Sequence, residues 1–170
     1  VIFAFFGFIV IATFSASLID QRVTSENAQS LYAEASMISK TYASDLYNNE
    51  ISIESANHQL RALGAYLSSS IWIVNPSGSV LVSSQSLPDL ENPEVLPDSS
   101  PSVTQDSYYT TGYFFGKYNE EALIVFSPIT ANYKIKGYVV IVKPLRHLAM
   151  ECNGYLTIMY ITLVLLILLS

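Results

Sequence analysis

The sequence predicts an α+β fold: an antiparallel sheet of about five strands with a long N-terminal helix and a second helix packed on one face, bracketed by two transmembrane helices. Three observations predict it. Both ends of the 170-residue chain are apolar runs without charged side chains. Apolar residues then recur at three- and four-residue steps, the period of a helix. From residue 71 onwards, short β-branched and aromatic runs alternate with turn residues, as in antiparallel strands. Helices grouped before strands favour this fold class.

The apolar ends predict transmembrane helices at residues 1–19 and 152–170. All 14 acidic and all 8 basic residues lie between Asp20 and Glu151, and a bilayer core requires about 20 apolar residues in a helix. A cleaved signal peptide is the alternative for the first run, with Ser15, Ala16 and Ser17 as a cleavage site. The length of the run favours a span. Residues 20–151 then form one domain, which we expect to be extracytoplasmic.

Composition limits the function classes. The net charge of −6 argues against a nucleic-acid partner, because such binding requires a basic surface. The single cysteine, Cys152, excludes an internal disulfide framework and a multi-cysteine metal site. The chain starts at Val1 without a methionine and stops inside an apolar run, which indicates a piece of a longer protein.

Two helices are predicted after the first span, at 24–48 and 53–69. Ser52 is the expected N-cap of the second helix, with Glu54 in its first turn. The first helix carries a stripe with two possible roles: the seam of a homodimer, packed against its twin, or a cover for its own sheet. The residues of this stripe are Ala28, Leu31, Ala35, Ile38 and Tyr42.

Five strands are predicted, at about 71–75, 79–84, 112–117, 122–130 and 136–143. Asn75-Pro76-Ser77-Gly78 suits a type I turn between the first two. Pro128 either ends the fourth strand or marks a bulge, because it has no N–H for a ladder, and Pro144 closes the fifth. The last two strands are apolar on both faces, so the Pro-rich loop at 83–106 is expected to cover part of the face that the helices leave open.

Three stretches carry a resemblance to a known family: the hairpin IWIVNPSGSVLVSS, the later GYFFGKYNEEALIVFSPI and the final KGYVVIVKPL. In this order, after helices and between two spans, they resemble the single Cache (PDC) sensor domain, which is extracytoplasmic and PAS-like. The resemblance covers residues 29–145. Such domains usually belong to sensor histidine kinases of bacterial two-component systems, and also to chemoreceptors and cyclic-dinucleotide enzymes. The Arg, Tyr and Asp pattern of the amino-acid-binding double-domain members is absent from this sequence.

No catalytic residue and no cofactor are predicted for this segment. It contains no phosphate-binding Gly loop, nucleophile elbow or paired-His zinc spacing. His58 is expected on a solvated helix flank and His147 near the membrane surface. The acidic residues of the Pro-rich loop offer a Ca²⁺ or Mg²⁺ site as a weaker alternative, although their spacing matches no calcium loop. The candidate metal ligands are Asp89, Glu91, Glu94 and Asp98.

A small organic ligand is the other candidate. The resemblance places a pocket between the sheet and the long loop, close to a cluster of tyrosines. A tyrosine combines an apolar ring with a hydrogen-bonding tip, and a lysine would suit a carboxylate. The predicted ligand-binding residues are Ser83, Tyr109, Tyr113 and Lys134. The alternative is that these tyrosines only fill the sheet face.

The predicted function is an extracytoplasmic signal-sensing domain of a homodimeric, two-span receptor in the bacterial membrane. Ligand state would pass through the second span to an output module after Ser170, a histidine kinase by the resemblance. The rival hypothesis is a membrane-anchored structural or adaptor protein whose exposed domain binds another protein. The sequence after Ser170 discriminates between them.

Overall fold

A computed structural model describes residues 2–48, 50–87, 94–96, 108–114, 119–131, 133–146, 148, 154, 157–158, 161–162 and 164. The chain divides into two units, Val1–Asn27 with Leu145–Ser170, and Ala28–Pro144. No helix within the described residues is both long enough and apolar enough to cross a membrane. Most of the second predicted span, including Cys152, lies outside those residues.

Three helices precede the sheet: α1 (Ile2–Lys40), α2 (Tyr42–Tyr47) and α3 (Ile53–Leu67). The helix predicted at 24–48 is interrupted only at Thr41, whose N–H still donates to the carbonyl of Met37 at 3.0 Å. The Ser52 cap is confirmed, because its Oγ accepts from the Ser55 N–H at 3.1 Å. In the first unit, Arg22 donates to the exposed carboxylate of Glu26 at 2.8 Å.

Five strands follow: β1 (Ser70–Val74), β2 (Val80–Ser83), β3 (Tyr109–Tyr113), β4 (Glu121–Ala131) and β5 (Lys134–Pro144). They form one antiparallel sheet in the order β2-β1-β5-β4-β3. The last strand therefore lies at the centre of the sheet, which explains its apolar residues on both faces. The third strand begins earlier than predicted, and residues 115–117 lie outside the described part.

The β1–β2 turn forms as predicted. The Gly78 N–H donates to the Asn75 carbonyl at 3.0 Å, and the Asn75 side-chain oxygen accepts from the N–H groups of Ser77 and Ser79. Gly78 has a φ of 86°, a left-handed conformation that glycine adopts without steric cost. The hydrogen bonds that shape this turn thus join residues only a few positions apart.

Pro128 does not end β4, which continues to Ala131. The N–H of Phe126 points towards β3, since it donates to the Tyr108 carbonyl at 3.0 Å. The nitrogen of Pro128, two residues on, points to the same side, beyond the last β3–β4 residue pair at Val125. The missing N–H therefore costs no bond of the described β3–β4 ladder. The bulge comes just after it, between Ile129 and Thr130.

The two sides of the sheet are covered differently. Successive residues of β4 point to opposite faces of the sheet. The Ser127 hydroxyl contacts Ser39 of α1, so the face that carries Ser127 is the helix-facing side. Its buried apolar residues on the strands are Ile71, Ile73, Val82, Leu123, Val125, Ile129, Val139 and Ile141. The opposite side carries the loop-facing cluster, whose members are Trp72, Val74, Val80, Leu96, Phe114, Ala122, Ile124, Phe126, Val140 and Val142.

Candidate functional site

The loop-facing cluster occupies the side of the sheet where the resemblance places a ligand pocket. Trp72 and Phe114 are fully buried, and their ring centroids lie 4.8 Å apart at an interplanar angle of 38°. This tilted contact adds to the stabilisation from their burial. In the described residues, the cluster is a packed core built from side chains.

A short segment of the Pro-rich loop covers this cluster. The Leu96 N–H donates to the Gly78 carbonyl at 2.9 Å, and the Glu94 carbonyl accepts from the Val80 N–H at 2.8 Å. These bonds hold the Leu96 side chain in the cluster, where it is 2% exposed. The prediction that the loop covers part of the second face is confirmed for residues 94–96.

The four predicted ligand-binding residues are not brought together. Ser83 ends β2 and Tyr113 ends β3, which are opposite edges of the sheet. Four strand spacings separate those edges, about 19 Å at about 4.8 Å each. Tyr113 is 63% exposed, and Lys134 is exposed at the β4–β5 hairpin. These residues therefore do not line a single small pocket.

Ser83 is held by local hydrogen bonds. It is buried, its Oγ accepts from the Gln85 N–H at 3.0 Å, and its carbonyl accepts from the Asn57 side-chain amide at 2.5 Å. Asn57 also donates to the carbonyl of Ser86 at 3.1 Å. These bonds fasten the end of β2 to α3, which is a structural role.

Tyr109 belongs to a row of three tyrosines that the sequence only partly indicated. Its ring centroid lies 5.2 Å from that of Tyr108, which in turn lies 4.7 Å from that of Tyr32 on α1. Tyr32 follows the three- and four-residue steps of the apolar face of α1, between Ala28 and Ala35, so helical periodicity indicates its face but not its contact with Tyr108. The row joins α1 to the start of β3.

The predicted metal site falls mostly outside the described residues, since Asp89, Glu91 and Asp98 all lie there. Glu94 is exposed. Among the residues that the structure describes, no group of three or more His, Cys, Asp or Glu side chains could hold a metal ion. His58 is exposed, as expected, and His147 lies outside the described part.

The predicted dimer seam is covered within the single chain. Ala28, Ala35 and Ile38 have no exposed surface, and Leu31 is 4% exposed; Tyr42 is half-buried. Burial of this stripe corresponds to the alternative interpretation, in which the stripe covers its own sheet. The exposed face of the helix carries Met37 instead, at 44% exposure.

Two cavities lie on the helix-facing side of the described domain. One, of about 430 Å³, is lined mainly by apolar residues of α2, α3 and β2, including Leu46, Ile53 and Leu81. Tyr47 borders it, and its phenol donates to the Lys136 carbonyl at 2.8 Å. Burial raises the pKa of this phenol above its ordinary value, because the charged form loses solvation.

The second cavity, here called the α1–β4 groove, is polar and has a volume of about 380 Å³. Helix α1 supplies Tyr32, Ser36, Ser39 and Lys40, and β4 supplies Ser127, Pro128 and Thr130. Its volume falls within the range of ligand pockets, about 300–1,000 Å³, but its lining is mainly polar whereas such pockets are mostly apolar. The sequence did not indicate this groove, because its two walls come from segments that are far apart in the chain.

Comparisons with solved structures identify the fold. The sensor domain of the histidine kinase DctB from V. cholerae matches with a TM-score of 0.55 and 15% identity, over 84% of this chain and 59% of that one. The extracellular domain of vpHK1S-Z8, a candidate histidine kinase, matches with 0.57 and 13%, over 84% and 60%. A domain of a candidate sensory box/GGDEF family protein from Vibrio parahaemolyticus matches with 0.59 and 13%, over 83% and 62%.

The chain has a sensor-domain fold. The three neighbours confirm the predicted resemblance at the level of the fold, which the chain shares with the sensor domain of DctB and the extracellular domain of vpHK1S-Z8. The chain spans about three fifths of the length of each neighbour. No protein-family model matches the sequence, and no curated protein matches it.

Proposed function

We propose that residues 20–151 are the extracytoplasmic signal-sensing domain of a bacterial receptor, held between membrane spans at 1–19 and 152–170. The observation that carries this proposal is the five-stranded antiparallel sheet with its N-terminal helix, which it shares with sensor and extracellular domains of signalling proteins. In this proposal the segment binds or transmits a signal and catalyses nothing. Its output passes through the second span to a module after Ser170, a histidine kinase.

Cysteine labelling tests the topology. With Cys152 replaced by Ala, Tyr66→Cys places a thiol on α3 at a position that is 83% exposed. A membrane-impermeant maleimide should label it in intact cells. Leu60→Cys, on the same helix but fully buried, is the matched control and should stay unlabelled. Labelling of Tyr66→Cys only after permeabilisation would contradict an extracytoplasmic domain.

The proposed receptor is a homodimer that uses the exposed face of α1 rather than its buried stripe. Ser30, Ala33 and Met37 are exposed at steps of three and four residues, the spacing at which one helix face repeats. Small residues with one Met allow two helices to approach closely. In a parallel two-fold dimer, residues near the axis meet their own copies.

Disulfide cross-linking tests this arrangement in membranes, again without Cys152. Met37→Cys should form a covalent dimer under mild oxidation, whereas Ile38→Cys, its fully buried neighbour, should not. Cross-linking of Ile38→Cys alone would restore the buried stripe as the seam. Failure of both variants would contradict a dimer along this helix.

A further inference from the structure

We propose that the α1–β4 groove binds a small oxyanion, either a free carboxylate or inorganic phosphate, with Lys40 as its cation and the groove hydroxyls as its hydrogen-bond donors. A role for this site in sensing rests on the proposed function, whereas the binding itself is argued from the groove alone. It lies on the helix-facing side of the sheet, away from the loop-facing cluster.

The charge of the groove favours an anion. The chain as a whole has a net charge of −6, yet the described lining of the groove contains one lysine and no carboxylate. Within the described part of the chain, no acidic side chain forms an ion pair with Lys40. Because Lys40 has no ion-pair partner among the described residues, its ammonium beside this polar cavity is available to a ligand.

The floor of the groove points to a ligand independently of Lys40. Ser39 and Ser127 are 5% and 2% exposed, and Ser127 lies between the buried residues Val125 and Ile129 on the same side of β4. Packing alone would favour an apolar residue there, because burying a hydroxyl is costly unless it is well hydrogen-bonded.

The hydrogen bonds of these serines leave Ser127 weakly satisfied. Ser39 donates to the Ser36 carbonyl at 2.9 Å, while Ser127 donates to Ser39 Oγ at 3.5 Å. Hydroxyl donors usually approach their acceptors to about 2.7–2.8 Å. A ligand oxygen in the groove would give the Ser127 hydroxyl a closer and negatively charged acceptor, which forms a stronger hydrogen bond.

The walls of the groove supply further donors. Ser36 and Tyr32 line it from α1, and Thr130 lines it from β4. The ring contact between Tyr32 and Tyr108 positions one wall against the start of β3. Lys40 lies in the last turn of α1, where its positive charge interacts favourably with the helix dipole. That interaction does not account for the buried serines.

Titration of the full 170-residue chain in detergent micelles tests the site, followed by amide NMR shifts. Sodium acetate and sodium phosphate are the two probes, and sodium chloride at matched ionic strength is the reference. We expect saturable shifts at Ser39, Ser127 and Thr130 at millimolar acetate, phosphate or both. The probe that binds more tightly identifies the source of the oxyanion. No saturable shift with either probe at tens of millimolar overturns the proposal.

Three variants sharpen the test. Lys40→Gln should weaken binding roughly tenfold or more, as expected for one lost charge-assisted hydrogen bond. Ser127→Ala should weaken it severalfold while leaving the buried interface apolar. Arg61→Gln removes the same charge from an exposed position on α3 and should bind as the parent does. Unchanged affinity in Lys40→Gln or in Ser127→Ala overturns the site.

The outcomes separate this inference from the proposed function. The NMR titration depends on neither membrane topology nor dimerisation. A failed titration with successful labelling of Tyr66→Cys leaves the sensor proposal standing and removes only the groove. A successful titration with failed labelling of Tyr66→Cys leaves the groove standing and removes the sensor proposal.

Discussion

On the helix-facing side of the sheet, regular helices meet the strands through apolar residues and a few buried polar groups, among them Ser39, Asn57 and Ser127. On the loop-facing side, the core is closed by residues that lie outside the strands, such as Leu96 and Phe114. The two sides thus differ in what holds them. The first combines apolar packing with side-chain hydrogen bonds at defined points, whereas the second combines aromatic and aliphatic packing with backbone hydrogen bonds to the loop segment.

This difference bears on where a ligand can act. The described residues of the loop-facing cluster pack against one another, so a ligand inserted among them would have to displace side chains and lose their packing contacts. The helix-facing side already contains two cavities. A ligand shifts an equilibrium only if it binds two arrangements unequally, and a ligand that contacts both α1 and β4 would respond to any change in their separation.

The largest expected effect comes from Phe114→Ala in the loop-facing cluster. Phe114 is fully buried against Trp72, so its removal should lower the free energy of unfolding by about 3–5 kcal/mol. Urea unfolding followed by the emission of Trp72, the single tryptophan, measures it. Tyr113→Ala, next to it and 63% exposed, should cost far less. Equal losses of unfolding free energy in the two variants would show that the packing of Phe114 does not stabilise the loop-facing side.

Leu96→Ala tests whether the loop segment is part of the core. Its side chain is buried among strand residues, and removing it should cost about 2–5 kcal/mol, towards the lower limit because a loop can move inwards to reduce the cavity. Val95→Ala, at 56% exposure, is the adjacent control. The same unfolding measurement applies; a negligible loss for Leu96→Ala would mean that the loop only rests on the sheet.

Asn57→Ala tests the hydrogen-bonded side. The substitution leaves the carbonyls of Ser83 and Ser86 without the amide that donates to them, and the expected loss is about 1–3 kcal/mol. His58→Ala, the exposed neighbour on α3, should stay within about 0.5 kcal/mol of the parent. If His58→Ala cost as much as Asn57→Ala, the loss would reflect helix α3 rather than this contact.

The sequence was sufficient for elements that local chemistry determines. The β1–β2 turn follows from Asn75 and Gly78, and the start of α3 follows from Ser52, since each makes its decisive hydrogen bonds within a few residues. The apolar character of β4 and β5 on both faces likewise indicated that both sides of the sheet are covered.

The sequence does not specify the order of the strands in the sheet, and the prediction of the ligand-binding residues depended on that order. Pairing of β1 with β5 joins residues about seventy positions apart, and no local pattern specifies which strands become edges. Ser83 and Tyr113 were therefore assigned to one pocket although they lie on opposite edges. The α1 stripe showed helical periodicity, but periodicity cannot tell whether a buried face meets its own sheet or a partner.

The smallest expected effect concerns Tyr47, which fastens α2 to β5 on the helix-facing side. Tyr47→Phe removes the bond to the Lys136 carbonyl, and the expected loss near neutral pH is about 0.5–1.5 kcal/mol. Tyr66→Phe, on an exposed tyrosine of α3, is the matched control and should change stability by less than about 0.5 kcal/mol.

The pH dependence of this loss distinguishes a buried phenol from an exposed one. Burial raises the pKa of Tyr47 in the folded state, whereas in the unfolded chain it titrates near about 10. The contribution of Tyr47 is therefore complete below about pH 10 and declines as the pH rises from there through the folded-state pKa. The stability difference between the parent and Tyr47→Phe should shrink over that range, because ionisation of the other tyrosines and of the lysines affects both proteins alike. Urea unfolding at a series of pH values measures this difference; if it stays constant through the range, the phenol is solvated in the folded state and contributes no burial-linked stability to the helix-facing side.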